Sequence, residues 1–161
     1  MINIIEYNKG FEEDVKDLLT QLQEFVVKID KEKLNIIAKN YRDEYFKKTY
    51  TEVYSNQGKI FIAEEDGKSV GVICCFVRQY DKEDKLDYLC PKMGIITELI
   101  VDKNCKGKGI GKLLMSAAEN YLKSIDCTYC MLDVFAYNDN AYNFYKKQNY
   151  QERMITMLKK F

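Results

Sequence analysis

The chain contains no histidine. Without an imidazole, every Ser-His-Asp and Cys-His mechanism and every His-ligated metal is excluded before any motif is read. Proline occurs once and glycine eight times, too few for collagen or a low-complexity linker. No apolar run approaches the roughly 18 residues that a membrane span needs. The first six residues lack the basic start and apolar stretch of a secretory signal. The expectation is a cytoplasmic protein that does not bind membrane.

An excess of charge is also missing, with 25 basic residues balancing 25 acidic ones. That neutrality argues against a nucleic-acid partner, which calls for a basic surplus. The charge is unevenly spread. Residues 101–161 hold 10 Lys or Arg against 6 Asp or Glu, a net of +4, and residues 1–100 carry the compensating −4. The C-terminal part suits an anionic ligand and the N-terminal part a cationic one.

What is present fits a single domain over residues 1–161, with 47% hydrophobic residues for its core. Of the six cysteines, only Cys127 and Cys130 have CxxC spacing. They fall in an apolar, strand-like run, where positions three apart face opposite ways and do not grip one metal. The thiols read as buried structural groups of a reducing compartment, with no metal site.

Residues 2–6 read as a first strand. Apolar residues from Phe11 to Ile29 recur at helical spacing behind an acidic first turn, and a less regular helix spans residues 34–54. Two apolar runs, 59–65 and 68–79, flank Asp66-Gly67, a strong hairpin signal. Residues 80–92 are charged, hold the one proline and read as a loop. A strand at 93–101 leads through a glycine- and lysine-rich turn into a helix with the stripe Ile110, Leu113, Leu114, Ala117, Ala118, Tyr121, Leu122 and Ile125. A strand at 129–135, a short helix at 138–147 and a closing strand at 150–158 complete the order β-α-α-β-β-β-α-β-α-β. The fold class is α/β (α+β).

The turn is the most informative stretch. Gly107, Gly109 and Gly111 let backbone N–H groups converge without Cβ obstruction, and the following helix adds its positive end. Lys103, Lys106, Lys108 and Lys112 surround it. This is a site for a phosphate-bearing ligand. The spacing fails both the P-loop, since Lys112 stands five residues after Gly107, and the dinucleotide fingerprint, whose third glycine would fall at Lys112.

The run Lys106-Gly-Lys-Gly-Ile-Gly111 resembles the acyl-coenzyme-A loop of the GNAT N-acetyltransferases, [Q/R]-x-x-G-x-[G/A]. Asn138-Asp-Asn-Ala-Tyr-Asn-Phe-Tyr145, continuing to Tyr150, is similar to that family's N-x-x-A-x-x-F-Y-x-x-x-G-F segment. Lys106 stands in place of Arg or Gln, Lys103 in place of a frequent Pro, and Asn149 in place of Gly. The resemblance implies a single GNAT-like domain with a mixed, mostly antiparallel sheet flanked by about four helices. It implies acetyl transfer from acetyl-CoA (coenzyme A) to a primary amine of a small molecule or peptide, by direct attack in a ternary complex. A non-catalytic acyl-CoA-binding module or regulatory subunit is the alternative.

The resemblance also implies site roles. Lys106, Gly107, Lys108, Gly109, Ile110, Gly111 and Lys112 would cradle the phosphates. Backbone at Leu99, Ile100 and Val101 would hold the pantetheine arm where strands 93–101 and 129–135 splay. Asn138 would touch that arm, with a helix cap as the other reading. Tyr145 is the candidate general acid. Glu98 is the candidate base, being the one carboxylate in its strand, with Tyr80, Asp81 and Asp102 as substitutes. Asp81, Glu83, Asp84, Asp87 and Glu44 are candidates for drawing in a cationic acceptor. A homodimer is compatible with such enzymes.

Overall fold

Asp66 and Gly67 both take positive φ, 53° and 80°, the backbone of a type I′ turn. The turn joins β2 (Lys59–Glu65) to β3 (Lys68–Val77) as an antiparallel hairpin. In the computed structural model, which describes residues 1–161, this hairpin is the middle of a five-stranded sheet. β1 (Asn3–Glu6), β2, β3 and β4 (Met93–Val101) pair antiparallel in that order, and β5 (Tyr129–Leu132) joins β4 in parallel. The expected mixed, mostly antiparallel sheet is therefore present.

Helices cover both faces. On one, α1 (Glu12–Ile29) sets Val15, Leu18 and Leu19, and α2 (Tyr41–Ser55) sets Phe46 and Val53, against Ile60, Ile62, Val72, Cys74 and Ile100. On the other, α4 (Ile110–Ser124) buries Ile110, Leu114, Met115, Ala118 and Leu122 against Ala63, Ile73, Cys75 and Ile96. Each fully buried leucine stabilises the fold by about 2 kcal/mol relative to an exposed one. Phe144 and Tyr145 of α5 (Asp139–Lys147) pack onto this second layer. Within the charged 80–92 segment the one regular piece is a single turn, α3 (Asp84–Asp87).

Three elements differ from the sequence-based expectation. The second helix starts at Tyr41, not at 34. Asp30, buried at the end of α1, accepts the backbone N–H groups of Glu32, Leu34 and Asn35 and the Asn35 side-chain amide, at 2.8–3.0 Å. Those amides are committed to a tight turn and unavailable to a helix. They hold the Asp30 carboxyl down to about 2, the Asn35 backbone contributing most. The strand expected at 129–135 stops at Leu132. The closing strand expected at 150–158 is absent: a strand exists only through pairing, β5 is the last strand of the sheet, and residues 151–161 are exposed along their whole length. The order therefore ends at α5.

Candidate active site

β4 carries a bulge at Thr97. Cys74 pairs with Glu98 and Cys75 with Ile96, which leaves Thr97 with no partner on β3. Pairing with β5 also ends here, its last pair being Ile96 and Leu132. From Thr97 to Val101 the edge of β4 turned toward β5 is unoccupied, so a gap opens between the two strands. Leu99, Ile100 and Val101 line its β4 side, where the sequence had put them.

The glycine turn lies directly beyond. Gly107 and Gly109 have φ of 82° and 78°, in the left-handed region, and a Cβ at either would meet no atom within 4 Å. None of the backbone N–H groups of residues 106–109 donates to a protein acceptor, and Ile110 and Gly111 open α4, where N–H groups have no intrahelical partner. Six donors therefore lack a protein partner at the positive end of a helix, the chemistry a phosphate requires. A Cβ at Gly111 would stand 3.5 Å from the Phe144 ring, an ordinary van der Waals contact that places α5 against the start of α4.

The lysines divide. Lys108 reaches back to Glu65 at the β2–β3 hairpin, 3.0 Å away. Lys106 lies over the Phe25 ring at 5.7 Å and, like Lys112, makes no ion pair. The unpaired cations beside the turn are thus Lys103, Lys106 and Lys112, Lys108 alone being paired. Gln21 of α1 braces the approach to it, accepting from the Lys103 N–H at 3.1 Å and donating to Asp102 at 3.4 Å.

Glu98 is only 9% exposed and lies on the α1/α2 side of β4. The Tyr45 phenol donates a hydrogen bond to its Oε1, and the Tyr41 ring stacks on Tyr45 at 4.7 Å. Burial pushes the Glu98 carboxyl above the usual carboxylate range, opposed by the Tyr45 hydrogen bond and the Lys48 charge. Two of the substitute bases are already engaged: Asp102 caps the turn at Asn104, and Asp81 accepts from the Asp84 N–H. The Tyr80 phenol is buried without a partner in the 80–92 segment.

Tyr145 packs on the opposite layer, against Phe144 and Tyr150. Burial and the Glu98 charge push its phenol up to about 12, so it holds its proton at neutral pH. Glu98 and Tyr145 thus belong to opposite layers of the sheet, close enough for the Glu98 charge to act on the phenol. Asn138 caps α5, its Oδ1 accepting from the Ala141 N–H at 3.1 Å. Its amide NH₂ is left for other contacts.

The loop acids read as an acceptor lure are partly spent. Asp84 pairs with Arg78 at 3.2 Å and accepts the Asp81 N–H. The helical spacing of Tyr41, Tyr45, Tyr50 and Tyr54 suits either a substrate cleft or a core stripe, and no local signal links Tyr45 to its partner, 53 positions away.

Residues 22–150 match the sequence profile of the Acetyltransferase (GNAT) family. Two curated relatives, both called uncharacterized N-acetyltransferases of Methanocaldococcus jannaschii, are 34% identical over 96 residues and 28% identical over 132. The matched regions cover 59% and 76% of this chain but 54% and 56% of theirs, so the chain spans about half the length of the curated relatives it matches. Among solved structures, a mutant protein of Bacillus halodurans superposes with a TM-score of 0.84 at 24% identity, covering 99% of both chains. An aminoglycoside N-acetyltransferase in complex with CoA superposes at 0.72 with 16% identity, covering 100% of this chain and 95% of the other.

Proposed function

Because the chain belongs to the Acetyltransferase (GNAT) family, we propose that it transfers an acetyl group from acetyl-CoA to a primary amine. The observation that carries this reading is the cluster of unpartnered backbone N–H groups at 106–111, set at the mouth of the β4–β5 gap. Acetyl-CoA would supply the activated thioester; the rest of the chemistry falls to the protein.

In this reading Gly107, Lys108, Gly109, Ile110 and Gly111 hold the diphosphate, and Lys106 and Lys112 screen the remaining phosphate charge. Backbone along Leu99–Val101 aligns the pantetheine arm. A backbone N–H beside the bulge stabilises the negative charge that develops on the thioester oxygen. Glu98, kept poorly solvated and raised in pKa, takes a proton from the attacking ammonium, directly or through one water. Tyr145, protonated and on the other side of the gap, gives a proton to the departing thiolate. Asn138 offers its amide to the arm. With no histidine to activate any of the six cysteines, a direct transfer is favoured over an acyl-cysteine route.

The acceptor comes to the Glu98 side, beneath α2. Tyr41 and Tyr45 form an aromatic wall there, and Glu52 adds a negative charge felt by Glu98. An ammonium group suits that surface. A panel of polyamines, aminoglycosides, amino sugars and peptides, followed by release of free CoA thiol, tests the proposal. Amine-dependent release is expected from one class. CoA binding without turnover on any amine would favour the binding-module alternative, and absence of CoA binding would overturn both.

A further inference from the structure

The residues that join α1 to α2 form a strap of fixed shape. Asp30 gathers the amides of Glu32, Leu34 and Asn35 at 2.8–3.0 Å, and the Gln23 side chain donates to the Ile36 carbonyl at 2.9 Å. A backbone tied down in this way keeps its two ends at one separation. At the far end stands Tyr41, whose ring stacks on Tyr45 beside Glu98. At the near end stand Lys31 and Glu32, and both meet Tyr137. The Lys31 Nζ lies 4.5 Å from the Tyr137 ring centroid, and the Tyr137 hydroxyl lies 3.5 Å from Oε1 of Glu32. Tyr137 belongs to residues 133–138, which leave β5 where the β4–β5 gap opens. Its contact with the strap brings that segment to the α1/α2 side of the sheet, where Glu98 also lies.

The two ends have the same chemistry. Tyr41 and Tyr45 accompany the Glu98 carboxylate at one, and Tyr137 accompanies the Glu32 carboxylate at the other. A ring beside a carboxylate is a receptor for an ammonium group. At the second end this chain's own ammonium already lies on the ring. Lys31 is exposed and makes no ion pair, so a ligand ammonium can take its place. Between the ends the strap exposes Leu34, Ile36 and Ile37, an apolar stretch that suits methylene groups. The acidic excess of residues 1–100 favours a ligand with more than one positive charge.

We propose that Tyr137 and Glu32 form a second ammonium subsite, and that the acceptor is a straight-chain diamine or polyamine. Its reacting amine lies at Glu98, its methylene chain follows Leu34 to Ile37, and its remote ammonium displaces Lys31 from the Tyr137 ring. In the transfer the reacting ammonium gives one proton to Glu98. Its nitrogen then bonds the acetyl carbon as the carbon–sulfur bond breaks, and a second proton from that nitrogen replaces the one Tyr145 gives to the thiolate. The remote ammonium stays charged. The inference rests on the proposed acetyl transfer for the place of the reacting amine, whereas the second subsite is read by binding alone.

Calorimetry on the full chain with CoA present tests this. Straight-chain α,ω-diamines of increasing length are each compared with the n-alkylamine of the same length. One optimum length is expected, at which the diamine binds about tenfold tighter than the monoamine, toward the upper range for an ammonium on an aromatic face. Tyr137→Ala should remove that advantage, and Lys31→Met, which vacates the ring, should enlarge it. Both side chains are exposed, so both variants should keep the wild-type circular dichroism. Equal binding of diamine and monoamine at every length would overturn the proposal, as would an advantage that survives Tyr137→Ala. Release of CoA thiol is followed in parallel: release with no amine at all would refute the transferase, and the binding comparison would still decide the subsite.

Discussion

The Tyr45 phenol, on α2, donates to the Glu98 carboxylate, on β4, and so joins an outer helix to the one buried acid at the β4–β5 gap. The bond favours the ionised form of an acid that burial pushes toward neutrality. In the proposed transfer Tyr45 is in this sense a positioning residue, holding the Glu98 carboxylate without touching the reacting atoms.

Glu98→Gln should lower kcat/KM at neutral pH by about 100-fold or more, the usual range for loss of a general base. The wild-type rate should rise with pH through a midpoint above the ordinary carboxylate value, and this limb should be missing in the variant. Tyr45→Phe should keep the limb but move it to higher pH, since a group that favours the ionised form is gone. A pH–rate series on the three proteins checks both statements.

The same acid should cost stability. A carboxyl whose folded pKa is raised is penalised above its unfolded value, near 4.3, and unpenalised below it. Glu98→Gln, which retains an acceptor for Tyr45, should raise Tm at pH 7 by about 2–4 °C for a gain of about 1 kcal/mol. The gain should vanish below pH 4. Thermal melts at pH 7 and pH 3.5 compare them.

Tyr145→Phe should reduce turnover by about tenfold or more with acetyl-CoA affinity unchanged, as expected when a proton donor alone is removed. With its phenol near 12, wild-type activity should show no alkaline loss attributable to Tyr145 below about pH 11. Steady-state kinetics beside calorimetric titration with CoA separates the two effects.

Gly109→Val places a β-branched residue at φ 78°, a strained region for any L side chain. It should weaken CoA binding by about tenfold or more, because the donors of the turn no longer converge. Gly111→Val should also weaken it, because its γ-methyls extend beyond a Cβ already in contact with the Phe144 ring and press on it. Calorimetry gives the affinities and circular dichroism verifies that the helices survive.

Asp30→Asn should lower Tm at neutral pH by weakening the turn over residues 30–35. A depressed folded pKa means that the stabilisation is full above the unfolded value, about 4, and is lost as pH falls toward about 2. The Tm difference between variant and wild type should therefore shrink below pH 4. Melts over pH 2–7 measure it.

Local signals were enough for much of this architecture. Asp66-Gly67 announced its hairpin, and the stripe from Ile110 to Ile125 announced α4. The three glycines marked a tight turn into α4, whose N–H groups are left unpartnered, since glycine content and helix position are local properties. What escaped depends on distant partners. The 34–40 stretch has helical residues, but Asp30 captures the amides of Leu34 and Asn35 at its start. The 150–158 stretch has strand residues, but no strand of this chain meets them. Lys108 looked free until Glu65, 43 positions away, appeared beside it. Tyr45 was one aromatic among 13 tyrosines until the fold brought Glu98 to it.

The surplus residue at Thr97 has a consequence of parity. In an uninterrupted strand, alternation would send Glu98 to the same side as Ile96, into the aliphatic layer beneath α4, with no phenol to meet it. One uncounted position in the ladder reverses the phase, and the acid emerges under α2 instead. Where the charge sits is thus decided by whether a number is odd or even.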